Sequence, residues 1–449
     1  MPPSLVRPAC LAVLLSLALA ACGGGSPEPA PAAADPQAEA ACALPMQQEV
    51  VSATMRSIYF WYDHLATPDA SAATIAGYFD SLLYEPTDRY SFSEPTVAFD
   101  ERTNLGIKVG YGYTLVWQDE AHSAMRVRSV EPLGPAAAAG LRRGDTVLDV
   151  NGHTPEEIAA GNPPAVSEPG IARRITVRGT DGGVRLLEMV SAQFNLTVVP
   201  TVTTFDVSRS DGSRAGVGYL DYRSFVDYGN PALGAAMQRF ADAGVTDLVL
   251  DLRYNGGGSV PVARDLASMI GGATTAWHLF MYLRFNPKQY AQNRSFPFQP
   301  PDPGVLPGPS LENLRHLIVL TSPGTASASE SVINGLKPFI PVVLVGETTY
   351  GKPYGSVVRQ YCGTTYHAIQ FTTLNALGQG DYAQGFAPDC VVPDDLDHEL
   401  GDPAERKLAA ALNYVRTGSC PVRAAGARPK GPARQPVFGE VAPSEMYVR

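Results

Sequence analysis

The stretch from Leu317 to Gly355, LIVLTSPGTASASESVINGLKPFIPVVLVGETTYGKPYG, constrains this chain more than any other. An apolar run, Leu317 to Leu320, meets a Thr-Ser-Pro-Gly turn. Small residues follow, then a segment with Val332, Ile333, Leu336 and Phe339 at helical spacing. A second apolar run, Pro341 to Val345, ends in a Gly-Glu-Thr-Thr-Tyr-Gly-Lys loop. Strand, turn, helix, strand and loop make an α/β unit whose turn delivers Ser327 to the first turn of a helix. The N–H groups at a helix start have no intrahelical acceptor, so negative charge developing there is stabilised. A serine so placed suits nucleophilic attack with its oxyanion beside amide donors. Lys352, in a glycine-flanked loop after the next strand, is the candidate base.

A second strand-to-turn unit lies upstream. Asp247 to Leu252 is almost continuously apolar, as expected of a strand in a sheet covered on both faces. It runs into Asp251-Leu252-Arg253-Tyr254-Asn255-Gly256-Gly257-Gly258. No GxGxxG and no Gly-Lys-Ser/Thr follows, which argues against a nucleotide phosphate. The glycines admit close backbone approach and suit an oxyanion hole. Gly216 to Phe225 reads as a strand, and Pro231 to Ala243 and Val260 to Ile270 as helices. Alternation in Ser356 to Gln360 and Tyr366 to Thr373 marks further strands, and Pro403 to Val415 a last helix. After Cys420 the composition shifts to Ala, Arg, Pro and Gly, and residues 421–449 read as a loose tail.

With 449 residues and 45% apolar content the chain can bury several cores, and a net charge of -10 without any basic block excludes nucleic acid as a natural partner. Residues 1–21 carry Arg7 and an apolar run from Leu11 to Leu19, too short to span a bilayer. The run ends at Leu19-Ala20-Ala21-Cys22, which resembles a bacterial lipoprotein signal; an ordinary cleaved signal peptide is the alternative. The resemblance implies lipidation of Cys22 and a lipid-anchored protein facing the periplasm; Gly23 in place of an aspartate after Cys22 points to the outer membrane. Residues 22–42 read as a Pro/Ala-rich tether. Residues 43–103 read as a small helical cap, with helices over Gln47 to Leu65 and Ala72 to Leu83, and Tyr59, Trp61 and Tyr62 as core or interface. Cys42, Cys362, Cys390 and Cys420 permit two disulfides with three pairings. Cys362 and Cys390 flank one strand-rich segment and are the expected pair, leaving Cys42 with Cys420. No Cys/His cluster has metal-site spacing, and neither metal nor cofactor is expected.

Residues 104–199 have short β runs and glycine turns. Within them SVEPLGPAAAAGLRRGDTVLDVNGHTP, Ser129 to Pro155, resembles the central motif of a PDZ domain. Such domains bind an extended C-terminal peptide by strand addition. The resemblance puts the carboxylate-binding loop near Leu105-Gly106-Ile107; a β-rich insert without peptide binding is the alternative.

Four separated pieces then agree: Tyr219 to Arg223, DLRYNGGG at Asp251 to Gly258, GTASASE at Gly324 to Glu330, and TTYGK at Thr348 to Lys352. Together with YEPTDRYSF at Tyr84 to Phe92, they resemble the S41 family of C-terminal processing, or tail-specific, serine proteases. The resemblance runs from about Gln47 to Val415. It implies a protease core over 200–420 with a ClpP/crotonase-like mixed α/β sheet, Ser327 as nucleophile and Lys352 as base. The oxyanion would be held by the N–H of Ala328 and one from Gly256 or Gly257. Implied substrates are exported proteins with apolar C-termini; the oligomeric state is left open. The family's glutamine four residues after the lysine is replaced here by Ser356, which reaches less far as the third catalytic group. A lysine accepts a proton only when neutral, and desolvation supplies that by disfavouring the ammonium. Ser329 points away from Ser327 on a helix and reads as a packing residue, and Ser322 as a structural hydrogen-bond partner. Asp251 and Arg253 read as structural, Glu330 as a helix cap, and His367 as a weak candidate for a Ser–His arrangement. The rival class is a catalytically silent PDZ-bearing lipoprotein scaffold. An esterase with a GxSxG elbow finds no such motif.

Overall fold

The computed structural model of the chain describes residues 41–119, 121–302, 304–421, 437–439 and 445–448. Expectations for the signal segment, for Cys22 and for most of the tether fall outside them. Among the described residues no helix is long and apolar enough to cross a membrane.

The core begins as the apolar runs require. A six-stranded sheet orders Cys390–Val391, Val342–Gly346, His316–Thr321, Asp247–Asp251, Arg214–Asp221 and Val202–Ser208. All neighbours are parallel except the last pair. Successive residues alternate between two buried faces. Leu248, Leu250, Leu317 and Val319 join the cluster formed with helices Asn230–Asp242, Val260–Thr275 and Ala328–Leu336. Val249, Ile318 and Leu320 join Leu408, Ala411 and Val415 of helix Arg406–Thr417 on the other face. Cover on both faces is why these strands are apolar without alternation.

A ClpP/crotonase-like sheet is not what the chain forms. A second six-stranded mixed sheet orders Gly257–Ser259, Glu445–Val448, Tyr354–Val357, Phe371–Leu374, Leu279–Phe285 and Arg294–Pro297. It curls beside the parallel sheet as a half-barrel. Hairpins legible only as short separate runs are gathered into it by distant partners. One of its strands, Glu445–Val448, lies in the segment expected to be loose, and all four of its residues are buried.

Residues Ile107 to Asn195 form a β-rich unit around its own cluster, with Leu115, Val127, Val147, Ile175 and Val177 at its centre. Its sheet orders Val437–Gly439, Tyr113–Trp117, Met125–Val130, Thr146–Val150, Ala172–Arg178 and Val184–Val190. Ile107–Gly110 pairs separately with Ala192–Asn195. Helices Leu44–Ile58 and Ile75–Ser81 pack with Tyr366 and Ala368. The first helix stops before Tyr59, which is fully buried and donates its hydroxyl to Asp88 Oδ2 at 2.6 Å.

The disulfide pairing departs from expectation. Cys390 pairs with Cys420, with Cα atoms 5.3 Å apart, so neither Cys362–Cys390 nor Cys42–Cys420 forms. Cys390 lies on the edge strand of the parallel sheet and Cys420 just beyond helix Arg406–Thr417, which packs against that sheet. Cys362 sits in the turn between Arg359–Tyr361 and Thr364–His367, strands of a different sheet. Cys42 and Cys362 are each disulfide-bonded.

Candidate active site

Two turns at the ends of adjacent parallel strands are laced together. After Asp247–Asp251, Arg253 is buried, donates to both Glu405 oxygens at 2.8 and 2.9 Å, and pairs with Asp251 and Asp394. Tyr219 donates to Asp251 Oδ2 at 2.7 Å. A buried guanidinium with carboxylates around it is held by charge-assisted bonds, so this strand end is rigid. After His316–Thr321, Ser322 Oγ donates to the Arg253 carbonyl and Thr325 Oγ1 to the Leu252 carbonyl at 2.8 Å. Ser329 Oγ donates to the Asn255 carbonyl at 2.9 Å, and Ala326 N–H to the same oxygen at 3.2 Å. Ser322, Ser329, Asp251 and Arg253 are each engaged in these bonds.

Ser327 opens helix Ala328–Leu336 with φ 63° and ψ -115°. That backbone region is costly for a residue with a Cβ, and it makes the sharp strand-to-helix turn that presents a serine hydroxyl. The residue is fully buried, and its Oγ finds no hydrogen-bond partner among the described residues. Gly257, at φ 111°, faces it. A side chain there would collide with the Glu445 carbonyl oxygen and lie 2.9 Å from Ser327 Cβ and 3.0 Å from Ala328 N. A glycine is required, because the Glu445 carbonyl, the Ser327 side chain and the Ala328 amide converge on the space its side chain would fill.

Glu330 ties this turn to the lysine loop. Its Oε2 accepts the N–H of Ser327 at 2.9 Å and of Lys352 at 2.8 Å. Its Oε1 accepts from Thr349 Oγ1 at 2.6 Å and Gly351 N–H at 2.7 Å. Burial pushes this carboxyl above its usual range, against the lowering pull of the four donors. Lys352 is 2% exposed, and its Nζ donates to the Tyr90 carbonyl at 3.4 Å. Burial pulls its ammonium down to about 8, against the opposing pull of the Glu445, Asp88 and Glu330 carboxylates. Tyr90 also donates its hydroxyl to the Gly351 carbonyl at 2.9 Å. The Tyr84 to Phe92 segment thus forms one wall of the lysine's chamber.

Two family models match the chain: peptidase family S41 over residues 216–392, and the peptidase S41 N-terminal domain over residues 46–92. Over these two segments the chain is similar to peptidase family S41. Among curated proteins it is 25% identical over 281 residues to the chloroplastic C-terminal processing peptidase of Tetradesmus obliquus, covering 61% of this chain and 57% of that one. It is 26% identical over 295 residues to the carboxyl-terminal-processing protease of Synechocystis sp., covering 63% of each. The chain therefore spans less than two thirds of the length of these relatives. The crystal structure of a Bacteroides fragilis protein assigned as an S41 protease superposes with TM-score 0.64 at 25% identity, covering 82% of this chain and 96% of that one.

The S41 signature residues converge, while the other expected positions divide. Ser327, Lys352, Ala328 and the 256–257 turn meet at one place through Glu330 and Gly257. Ser356 is buried on the strand that follows Lys352, opposite Tyr447. The Gly257 N–H is already given to Asn255 Oδ1 at 2.9 Å. Leu105-Gly106-Ile107 lies at a joint: Gly106 closes a short helical turn, its carbonyl accepts from Leu196 N–H at 2.7 Å, and a side chain on it would strike the Tyr228 ring. None of the three lines the apolar cavity of about 230 Å³ between Tyr113–Trp117 and Pro155–Ala159, which Tyr111, Tyr113, Leu115, Ile158 and Val166 enclose. His367 turns its Nε2 to Glu94 Oε1 at 3.0 Å and stacks on Phe92, away from service as a serine's base.

Three contributors escaped sequence reasoning. The Ser-x-x-Glu pattern marked Glu330 as a cap, but its bonds to Gly351 and Lys352 depend on a loop from the next strand. Tyr90 lay within a segment already singled out, without a role. Arg102, which binds Glu94 at 2.8 Å and also pairs with Glu445, carried no signal at all.

Proposed function

We propose that this chain is a serine endopeptidase in which Ser327 is the nucleophile and Lys352 the general base. The observation that carries the reading is a desolvated lysine, pulled down to about 8, whose backbone shares one carboxylate oxygen with that of an unpartnered, strained serine. Ser327 Oγ attacks a peptide carbonyl carbon while Lys352 takes the hydroxyl proton. The tetrahedral oxyanion lies against the Ala328 N–H, with Gly256 as the second donor while the Gly257 N–H stays on Asn255. Collapse gives an acyl-enzyme, and the lysine's proton goes to the departing amine. Water then attacks the ester, again losing a proton to Lys352, and the carboxylate product leaves. Ser356 steadies the lysine where relatives use a glutamine.

Substrates are exported proteins cut near apolar C-termini. The PDZ-like unit, residues 104–199, takes their ends by strand addition at Tyr113–Trp117, over the apolar cavity. The enzyme is held to the cell envelope by lipid on Cys22, facing the periplasm at the outer membrane. A fluorophosphonate probe tests the nucleophile. It should label the parent protein at Ser327 and leave Ser327→Ala unlabelled, whereas a silent scaffold would take no label in either.

A further inference from the structure

Strand Glu445–Val448 lies between the two strands that leave the catalytic turns. It pairs in parallel with Gly257–Ser259, in the register Gly257↔Glu445 to Ser259↔Tyr447. On its other side it pairs in parallel with Tyr354–Val357, in the register Ser356↔Tyr447 and Val357↔Val448. Glu445 N–H donates to the Gly256 carbonyl at 3.0 Å, and Val358 N–H to the Val448 carbonyl at 3.1 Å. Backbone pairing on both edges is how a groove holds an extended peptide without regard to its sequence.

Its side chains fill separate sites. Glu445 forms an ion pair with Arg102. Met446 sits in the main core cluster with its sulfur 3.7 Å from Ser331 Oγ. Tyr447 packs edge-on against Phe99, with ring centres 5.6 Å apart. The Glu445 carbonyl points into the space that Gly257 leaves open beside Ser327 Cβ and the Ala328 amide. A substrate carbonyl would need that same place. Farther up the same tail, Val437–Gly439 adds antiparallel to the edge strand Tyr113–Trp117 of the β-rich unit. Two segments of one tail thus occupy an edge strand and the catalytic groove, as a single long peptide would.

We propose that the chain's own segment Glu445–Val448 is a ligand of its substrate groove: it holds the protease shut in cis, and Arg102 selects the acidic residue at its head. The proposal rests on the Ser327/Lys352 reading for the identity of the groove. Cis tethering fixes the segment at an effective concentration of order millimolar, enough to exclude free substrates of ordinary affinity. The occupant class is an extended peptide reading acidic, apolar, aromatic, apolar.

The test inserts a site for a sequence-specific protease into residues 422–436 of the full chain, so that the tail is cut after folding is complete. Cutting followed by gel filtration should release the segment, raise hydrolysis of a short fluorogenic peptide about tenfold or more, and leave the far-ultraviolet circular dichroism unchanged. A synthetic peptide of residues 440–449 should restore inhibition competitively. The same peptide carrying Glu445→Lys should inhibit about tenfold less, because it loses the pairing with Arg102. Binding of the fluorescein-labelled 440–449 peptide to cut Ser327→Ala protein, read by anisotropy, is independent of turnover. Failure of the dyad therefore leaves binding without hydrolysis. Cut protein that retains the segment through gel filtration, or that shows the uncut rate and binds no labelled peptide, overturns the proposal and makes Glu445–Val448 a permanent structural strand.

Discussion

Glu330 holds the main chain of Lys352: its Oε2 accepts the lysine's N–H at 2.8 Å, and the same oxygen takes the N–H of Ser327 at 2.9 Å. One buried carboxylate therefore sets the spacing between the main chains of the proposed nucleophile and the proposed base. Glu330→Gln keeps the volume but turns two N–H donors toward groups that are themselves donors. The variant should lose about 2–4 kcal/mol of stability, measured by urea unfolding. It should also lose about 10²-fold in kcat with little change in KM, since the groove strands are untouched.

Lys352 makes a stability prediction opposite to its catalytic one. Its amine releases a proton at about 8 in the folded chain, against an ordinary 10.5. Between those values the unfolded chain binds more protons, so stability rises with pH across that window, and the penalty is fully present below about 8. Lys352→Met removes the penalty. At neutral pH the variant should be more stable than the parent by about 1–3 kcal/mol, with the difference shrinking above pH 8, while its activity is lost. Equal stability of the two proteins at neutral pH would mean the amine is not desolvated.

The parent's kcat/KM should climb tenfold per pH unit below about 8 and level off above it, because the neutral amine is the base and burial sets its pKa. A flat profile across that value would assign the lysine a fixed-charge role.

Non-reducing peptide mapping should recover Cys390 joined to Cys420. Their sequence separation is 30 residues, and closing a loop of that size limits the unfolded chain by about 3–4 kcal/mol. Cys390→Ser should lower stability by up to about that amount while sparing the rate, since the bridge joins the edge strand to the end of the last helix and includes neither Ser327 nor Lys352.

What could be read from residues alone was the material with local cause. Asp247 to Leu252 announced a doubly covered strand, and Pro-Gly-Thr-Ala-Ser before an apolar period announced the serine's turn. The rest depends on partners distant in sequence. Cys390 and Cys362 look adjacent along the chain but sit on different sheets. Leu105-Gly106-Ile107 resembles a binding loop, and the approach of the Tyr228 ring to Gly106 comes from a residue more than a hundred positions away. Glu445–Val448 is four residues in a Pro- and Ala-rich tail, with nothing nearby to bury it; its burial comes from glycines and a valine far upstream. The curled second sheet was illegible because its order depends on distant pairings: Gly257–Ser259 and Tyr354–Val357 both with Glu445–Val448, and Leu279–Phe285 with Phe371–Leu374.

The neutral-lysine base is tested most directly by the rate at which tail-released Lys352→Arg protein cleaves a fluorogenic peptide, compared with tail-released Lys352→Ala and tail-released parent protein at about pH 8.5. Arginine keeps the charge but cannot deprotonate in a protein. The predicted result is a folded variant about 10²–10⁴-fold slower than the parent and indistinguishable from alanine. A Lys352→Arg protein that cleaves at near the parent rate would contradict the neutral-lysine base.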